Sequence, residues 1–199
     1  MSGFEIITIT FSFILGLGVA HILRSVAHVI REKDLTALHW IPISVAGMIL
    51  IFQIQFWFAL VIVNALIVEW SWAYYGVMLL AAILIFLAGA TVLPQPGSAS
   101  FSTLLDDFHR RGRVGLLFTA LYLLTWIVLG IMVSAEAPIV AVLHLAAVNG
   151  GMSVMLVWAY QTNSDRVRSV LHILLMFGMI YGLMTVWTPP DFTNPFYAD

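Results

Sequence analysis

Six uninterrupted apolar runs, each close to the roughly 20 residues that a helix needs to cross a hydrocarbon core about 30 Å thick, leave this chain few ways to fold. They fall at about 6–23, 41–63, 73–93, 114–133, 139–160 and 170–186. Of the 199 residues, 62% are hydrophobic and 9% charged, and the mean hydropathy is +1.03. Soluble domains carry roughly 25% charged residues. The composition therefore predicts an all-α polytopic membrane protein, with six transmembrane helices in one single-domain bundle spanning 1–199.

The cations order these runs. All eight Lys and Arg residues sit in three alternate connections: Arg24, Arg31 and Lys33 after the first run, Arg110, Arg111 and Arg113 before the fourth, Arg166 and Arg168 before the sixth. Basic residues in short loops stay cytoplasmic, so both termini are expected outside and the three basic connections inside. The other connections and the termini carry only acids: Glu5, Glu69, Glu136, Asp191 and Asp199. Trp40, Trp158 and Tyr160 would border the inner side, and Trp70, Trp72, Tyr74, Tyr75 and Trp187 the outer one, where amphipathic rings prefer to lie. The opening "MSGFEIITIT" has no basic n-region, so the first helix is expected to be retained and to continue through "RSVAHVIREK".

Two segments outside the spans have their own character. In "PQPGSASFSTLLDDFHRRGRV", turn residues give way to an amphipathic stretch at about 102–111, with Leu104, Leu105 and Phe108 on one side and Asp106, Asp107, Arg110 and Arg111 on the other. Thr103 followed by Asp106 suits a helix cap, so this reads as a helix lying on the inner surface, its arginines meeting anionic lipid headgroups. The tail at 187–199, "WTPPDFTNPFYAD", has three prolines and is expected to leave the helix on the outer side.

Polar groups deep in the spans are the candidate functional residues. In "IFQIQFWFAL", a rise of about 1.5 Å per residue puts Gln53 roughly 18 Å and Gln55 roughly 21 Å into the membrane. At about 100° per residue they point almost oppositely. An unpaired amide in hydrocarbon costs several kcal/mol, so each demands a partner or a wet cavity. Asn149 and Ser153, beside Gly150 and Gly151, fall at matching depth in the fifth span and complete a midplane polar layer; the glycine pair allows a hinge or a close approach. Thr8, Ser12, Gly16 and Ala20 recur every four residues in the first span, and Gly178 and Gly182 have G-x-x-x-G spacing in the sixth, as packing seams do. His21, Arg24, His28 and Arg31 form a titratable and cationic ladder leaving the membrane on the inner face, suited to lipid phosphate, an anion or snorkelling. His21 and His172, at similar inner depth, supply the minimum pair for a b-type haem.

Whole classes of chemistry lack their residues. Without cysteine there is no disulfide or thiolate site, and no H-E-x-x-H, G-x-S-x-G or phosphate-cradling Gly loop occurs. No metal site and no catalytic residue are expected. Nucleic-acid binding is not expected either, since the arginines are spread over three membrane-proximal connections. The stretches "FSFILGLGVAHILRSVAHVIR", "LHWIPI", "FQIQFWF" and "LLDDFHRRGRVGLLFTALYLL" resemble a group of small bacterial multi-span membrane proteins of uncharacterised activity. That resemblance implies a bacterial inner membrane and brings no site residue or cofactor. Three classes of function stay open: permeation or transport of a small solute through Gln53, Gln55, Asn149 and Ser153; a non-catalytic scaffold, as a homo-oligomer or subunit of a larger membrane complex; and a haem-bearing electron-transfer subunit.

Overall fold

In the computed structural model, which describes residues 3–32, 39–67, 70–95, 103–133 and 139–185, the chain is helical almost throughout. The elements are α1 (Gly3–Glu32), α2 (Trp40–Leu66), α3 (Trp72–Val92), α4 (Leu104–Asp107), α5 (Val114–Met132), α6 (Ile139–Gln161) and α7 (Asp165–Thr185). All except α4 are long and apolar enough to span a membrane. The protein is thus a multi-pass membrane protein with six spanning helices, and no strand occurs among the described residues. Lys33, Asp34, Glu69, Glu136 and the tail at 187–199 lie outside the described residues.

Local chemistry sets the helix starts. His39 Nδ1 accepts from the Ile41 amide (3.3 Å) ahead of α2, and Pro42 is tolerated because a first-turn residue has no intrahelical N–H partner to lose. Ser71 caps α3 by accepting from the Tyr74 amide (3.5 Å). Thr103 Oγ accepts from the Asp106 amide (3.1 Å) and donates to the Asp106 carboxylate (2.9 Å). Ser164 accepts from the Val167 amide, so α7 starts at Asp165, five residues ahead of the apolar run.

α5 is the centre of the bundle, buried on several sides by Leu116, Thr119, Ala120, Tyr122, Leu123, Trp126 and Leu129. α3 packs on it through Ala88, Thr91 and Val92, close enough that a Cβ on Gly115 would lie 3.0 Å from the Ala88 carbonyl oxygen. Helices without a water-driven force between them associate through such small residues. α2, α3, α5, α6 and α7 pack in sequence, with α7 returning to α2, and α1 lies against α2 and α3. Phe56 anchors the middle of the core, with ring centroids 5.8 Å from Phe11, 6.4 Å from Tyr122 and 5.4 Å from Trp126. Phe13, Leu143, Phe177 and Met184 face outward, as lipid-facing residues should.

Three expectations need correction. The surface stretch is not a regular amphipathic helix. α4 is a single turn that widens into a π-helical turn over Phe108–Gly112; Leu104 and Phe108 are buried and Asp106, Arg110 and Arg111 exposed, as the amphipathic pattern expects, but Asp107, expected on the polar side, is buried with them. Its wider turn lets Gly112 slide against the end of α3, where a Cβ would come within 2.6 Å of the Val92 carbonyl oxygen. Only part of the every-fourth-residue stripe of α1 packs: Ser12 accepts from Trp57 Nε1 of α2 (3.0 Å), but nothing lies within 4 Å of a Cβ on Gly16, and Ala20 is exposed. Its buried face is Ile7, Phe11, Leu15, Gly18, Ile22, Ser25 and Val29. Finally, α6 runs unbroken through Gly150 and Gly151, so the glycine pair is no hinge in this conformation.

Candidate functional site

The interior amides do not form one hydrogen-bonded layer. Gln53 is wholly buried and donates from Nε2 to the Ile85 carbonyl (3.2 Å), in a slot whose walls are Gly18 and Gly89. A Cβ would reach within 2.5 Å of Nε2 from Gly18 and 3.2 Å from Gly89, so only glycines leave room for this side chain between α1, α2 and α3. Gln53 is helix adhesive, although its Oε1 has no partner.

Gln55, turned about 200° from Gln53, faces away from α1 and α3. It is only 6% exposed, and neither end of its amide is hydrogen-bonded. Asn149, on α6, is 2% exposed, with Nδ2 unpartnered. It shares its face with Ser153, which donates to the Ala120 carbonyl of α5 (3.1 Å) and to the Asn149 carbonyl (2.8 Å), and with Met152, which packs on Gly178 of α7. Gln55 on α2 and Asn149 on α6 are thus two buried side chains with unpartnered amide groups. Counting about 1.5 Å per residue from the α2 start and the α6 end puts them roughly 22 and 18 Å from the same end of the bundle. Gly178 and Gly182 face α6, at 3.4 Å from Met152 and 3.5 Å from Val148. Gly151 meets nothing within 4 Å, and Gly150 only Ile127 at 3.7 Å.

Toward that same end lies a second polar centre. Arg168, in the first turn of α7, is 2% exposed, and four of the five N–H donors of its guanidinium have acceptors. Nη1 donates to Asp165 Oδ1 (2.8 Å) and to His109 Nε2, Nη2 to the Thr162 carbonyl, and Nε to the Ala159 carbonyl (3.5 Å). The last two acceptors belong to the C-terminal end of α6 and its turn, where helix carbonyls lack intrahelical donors and carry partial negative charge. Arg168 thus ties α7, α6 and the π-helical turn together. Its own carbonyl bonds His172 Nδ1 (2.7 Å), and His172 lies edge-on to Trp40 and Phe108, buried, with Nε2 unpartnered. Arg113 stacks over Tyr160, 5.2 Å from the ring centroid, and reinforces the contact between the π-helical turn and α6.

Sequence reasoning counted Arg168 as one of the loop cations and gave His109 no role. The signal was present: Asp165, Arg168 and His172 follow at spacings of three and four, one stripe of a helix whose start was placed too late.

His109 lies outside the spans, and its pKa is held below the usual imidazole value, first by burial, then by the Arg168 guanidinium and, more weakly, by Arg113, with Asp165 and Asp106 pulling the other way. Its Nε2 accepts from Arg168, so the neutral ring is the one that fits. Because folding depresses this pKa, the unfolded chain takes up the proton first as pH falls below 6.5. The stabilisation is complete above that value and is lost as pH descends through the lowered folded one. Between pH 7 and 5 the detergent-solubilised protein should lose more thermal stability than His109→Gln, whose amide oxygen still accepts from Arg168 and does not titrate; equal losses would remove His109 from the account.

The ladder on α1 is separate. Arg24 and Arg31 are exposed and His28 half-buried, while His21 Nε2 lies 3.0 Å from Gln95 Nε2 and its ring 6.4 Å from Phe86. His21 thus neighbours the end of α3, whereas His172 neighbours α2 and the π-helical turn. No group of three or more metal-ligating side chains occurs among the described residues. Comparison with known proteins finds no matching family model, no matching curated protein and no matching solved structure.

Proposed function

We propose that this chain is a small bacterial inner-membrane permeation protein, with both termini outside, whose solute path runs between α2, α5, α6 and α7. One observation carries the reading: Gln55 on α2 and Asn149 on α6, both buried and at similar depth along their helices, hold unpartnered amide groups. A buried amide without a partner costs about 1–3 kcal/mol, and water or a passing polar solute would remove that penalty. His172 Nε2, roughly 10 Å in from the start of α7, continues the polar series toward the Arg168 end. No acid or cation lies near the depth of the two amides, which favours a small uncharged solute over an ion. The π-helical turn and Arg168 close that end, and their contacts make it the place for a gate.

The absence of native cysteine makes the test clean. Cysteine at position 55 or 149 should react with a membrane-impermeant thiol reagent, while one replacing Ala82, which is wholly buried between helices, should stay protected. Complete protection of both interior positions would leave the amides as helix adhesive and the protein as a scaffold. A reduced-minus-oxidised absorption spectrum tests the haem reading on the same preparation, through a chromophore lost in His172→Ala.

A further inference from the structure

A groove of about 380 Å³ opens between the end of α6 and the first turns of α7, lined by Trp158, Arg166, Val167, Val170, Leu171 and Leu174. Trp158, Val170 and Leu174 are about half exposed, so the groove faces outward from the bundle. Its wall is hydrocarbon throughout, so Arg166 lines it with its methylene stem and the guanidinium is not part of the wall. Arg166 is exposed and has neither hydrogen bond nor ion pair among the described residues. The nearest carboxylate in sequence, Asp165, is already engaged by Arg168 at 2.8 Å and lies 3.4 Å from His109. The groove is therefore apolar and bordered by one uncompensated positive charge, at the end of a spanning helix, beside an apolar track that runs roughly 10 Å along α7.

We propose that this groove binds one anionic phospholipid of the adjoining leaflet. An acyl chain lies along Val167, Val170, Leu171 and Leu174, the phosphate pairs with Arg166, and the Trp158 indole sits at the interfacial level, where amphipathic rings belong. A planar guanidinium matches phosphate oxygens in a way that a zwitterionic headgroup, carrying its own cation, partly cancels. The site requires only that the helices span a membrane, so it stands whether or not the interior conducts.

Native mass spectrometry of the full chain, released from mild detergent containing equal phosphatidylglycerol and phosphatidylcholine, tests it. One phosphatidylglycerol should be retained about fivefold over phosphatidylcholine, the scale expected for one juxtamembrane cation. Arg166→Gln should bring the two lipids level. Val170→Trp, at a half-exposed position that the fold tolerates, should fill the groove and reduce both. Arg110→Gln, an exposed arginine away from the groove, should change neither. Equal retention of the two lipids by the unaltered protein, indifference to Arg166→Gln, or displacement of the adduct by inorganic phosphate would each overturn the proposal, the last by marking a free-anion site.

Discussion

Replacing Arg168 by Met should destabilise the protein more than any other single change at the α6–α7 end, by about 3–5 kcal/mol. Methionine fills much of the same volume but supplies none of the donors. Four acceptors then lose their partner together: the Asp165 carboxylate, His109 Nε2, and the Ala159 and Thr162 carbonyls. Asp165 is largely exposed and returns to water at little cost. The Ala159 carbonyl has less recourse, because its residue is wholly buried. Arg168→Lys should fare little better, since one ammonium cannot span acceptors that a planar fork reaches in four directions. For a chain of this size the loss corresponds to roughly 10 °C in the midpoint of thermal unfolding. The monodisperse fraction surviving a heat step in detergent reads it directly. A methionine variant as stable as the parent would mean that the desolvation of Arg168 cancels its bonds.

How far the sequence could reveal these features follows from the physics of a membrane solvent. Six spans were legible because a bilayer of fixed thickness demands runs of fixed length, and these runs are the helices α1 to α3 and α5 to α7. The opposition of Gln53 and Gln55 was legible from 100° per residue alone. Which neighbours each would meet was not, because a helix that is apolar all round carries no amphipathic contrast to mark its inward face. The glycine slot around Gln53 shows the difficulty. Gly89 is 36 residues away, and nothing in "LAGATV" announces that its missing side chain makes room for an amide of α2. Charge misled in the opposite direction. Arg166 and Arg168, two residues apart, look alike in sequence, yet one is exposed and the other is among the most buried side chains of the protein. Helical geometry separates them by about 200°, but only once α7 is known to start at Asp165.

Gly18→Leu should be severely destabilising and Gly16→Leu nearly silent, although both lie in "ILGLGVA" and sequence spacing favours Gly16 as the packing residue. Steps of four residues drift by about 40° each around a helix, so a stripe of Thr8, Ser12, Gly16 and Ala20 slides off any straight contact. The buried face alternates steps of three and four, and Gly18 lies on it. Leucine there would drive its Cβ into Gln53 Nε2, and with Gly89 closing the other side the amide must leave its bond to Ile85. Overpacking of about 1–3 kcal/mol then adds to a similar cost for the unpaired amide. The cause is separable. Gln53→Ala alone leaves a cavity and costs stability, but Gly18→Leu combined with Gln53→Ala should recover part of the loss, because the leucine enters the space that the glutamine vacates. Strictly additive losses in that double variant would show that Gly18 is needed for something other than making room for Gln53. A Gly16→Leu variant that instead shifts the oligomer size on a sizing column, with its thermal midpoint unchanged, would assign the outward stripe of α1 to a contact between subunits.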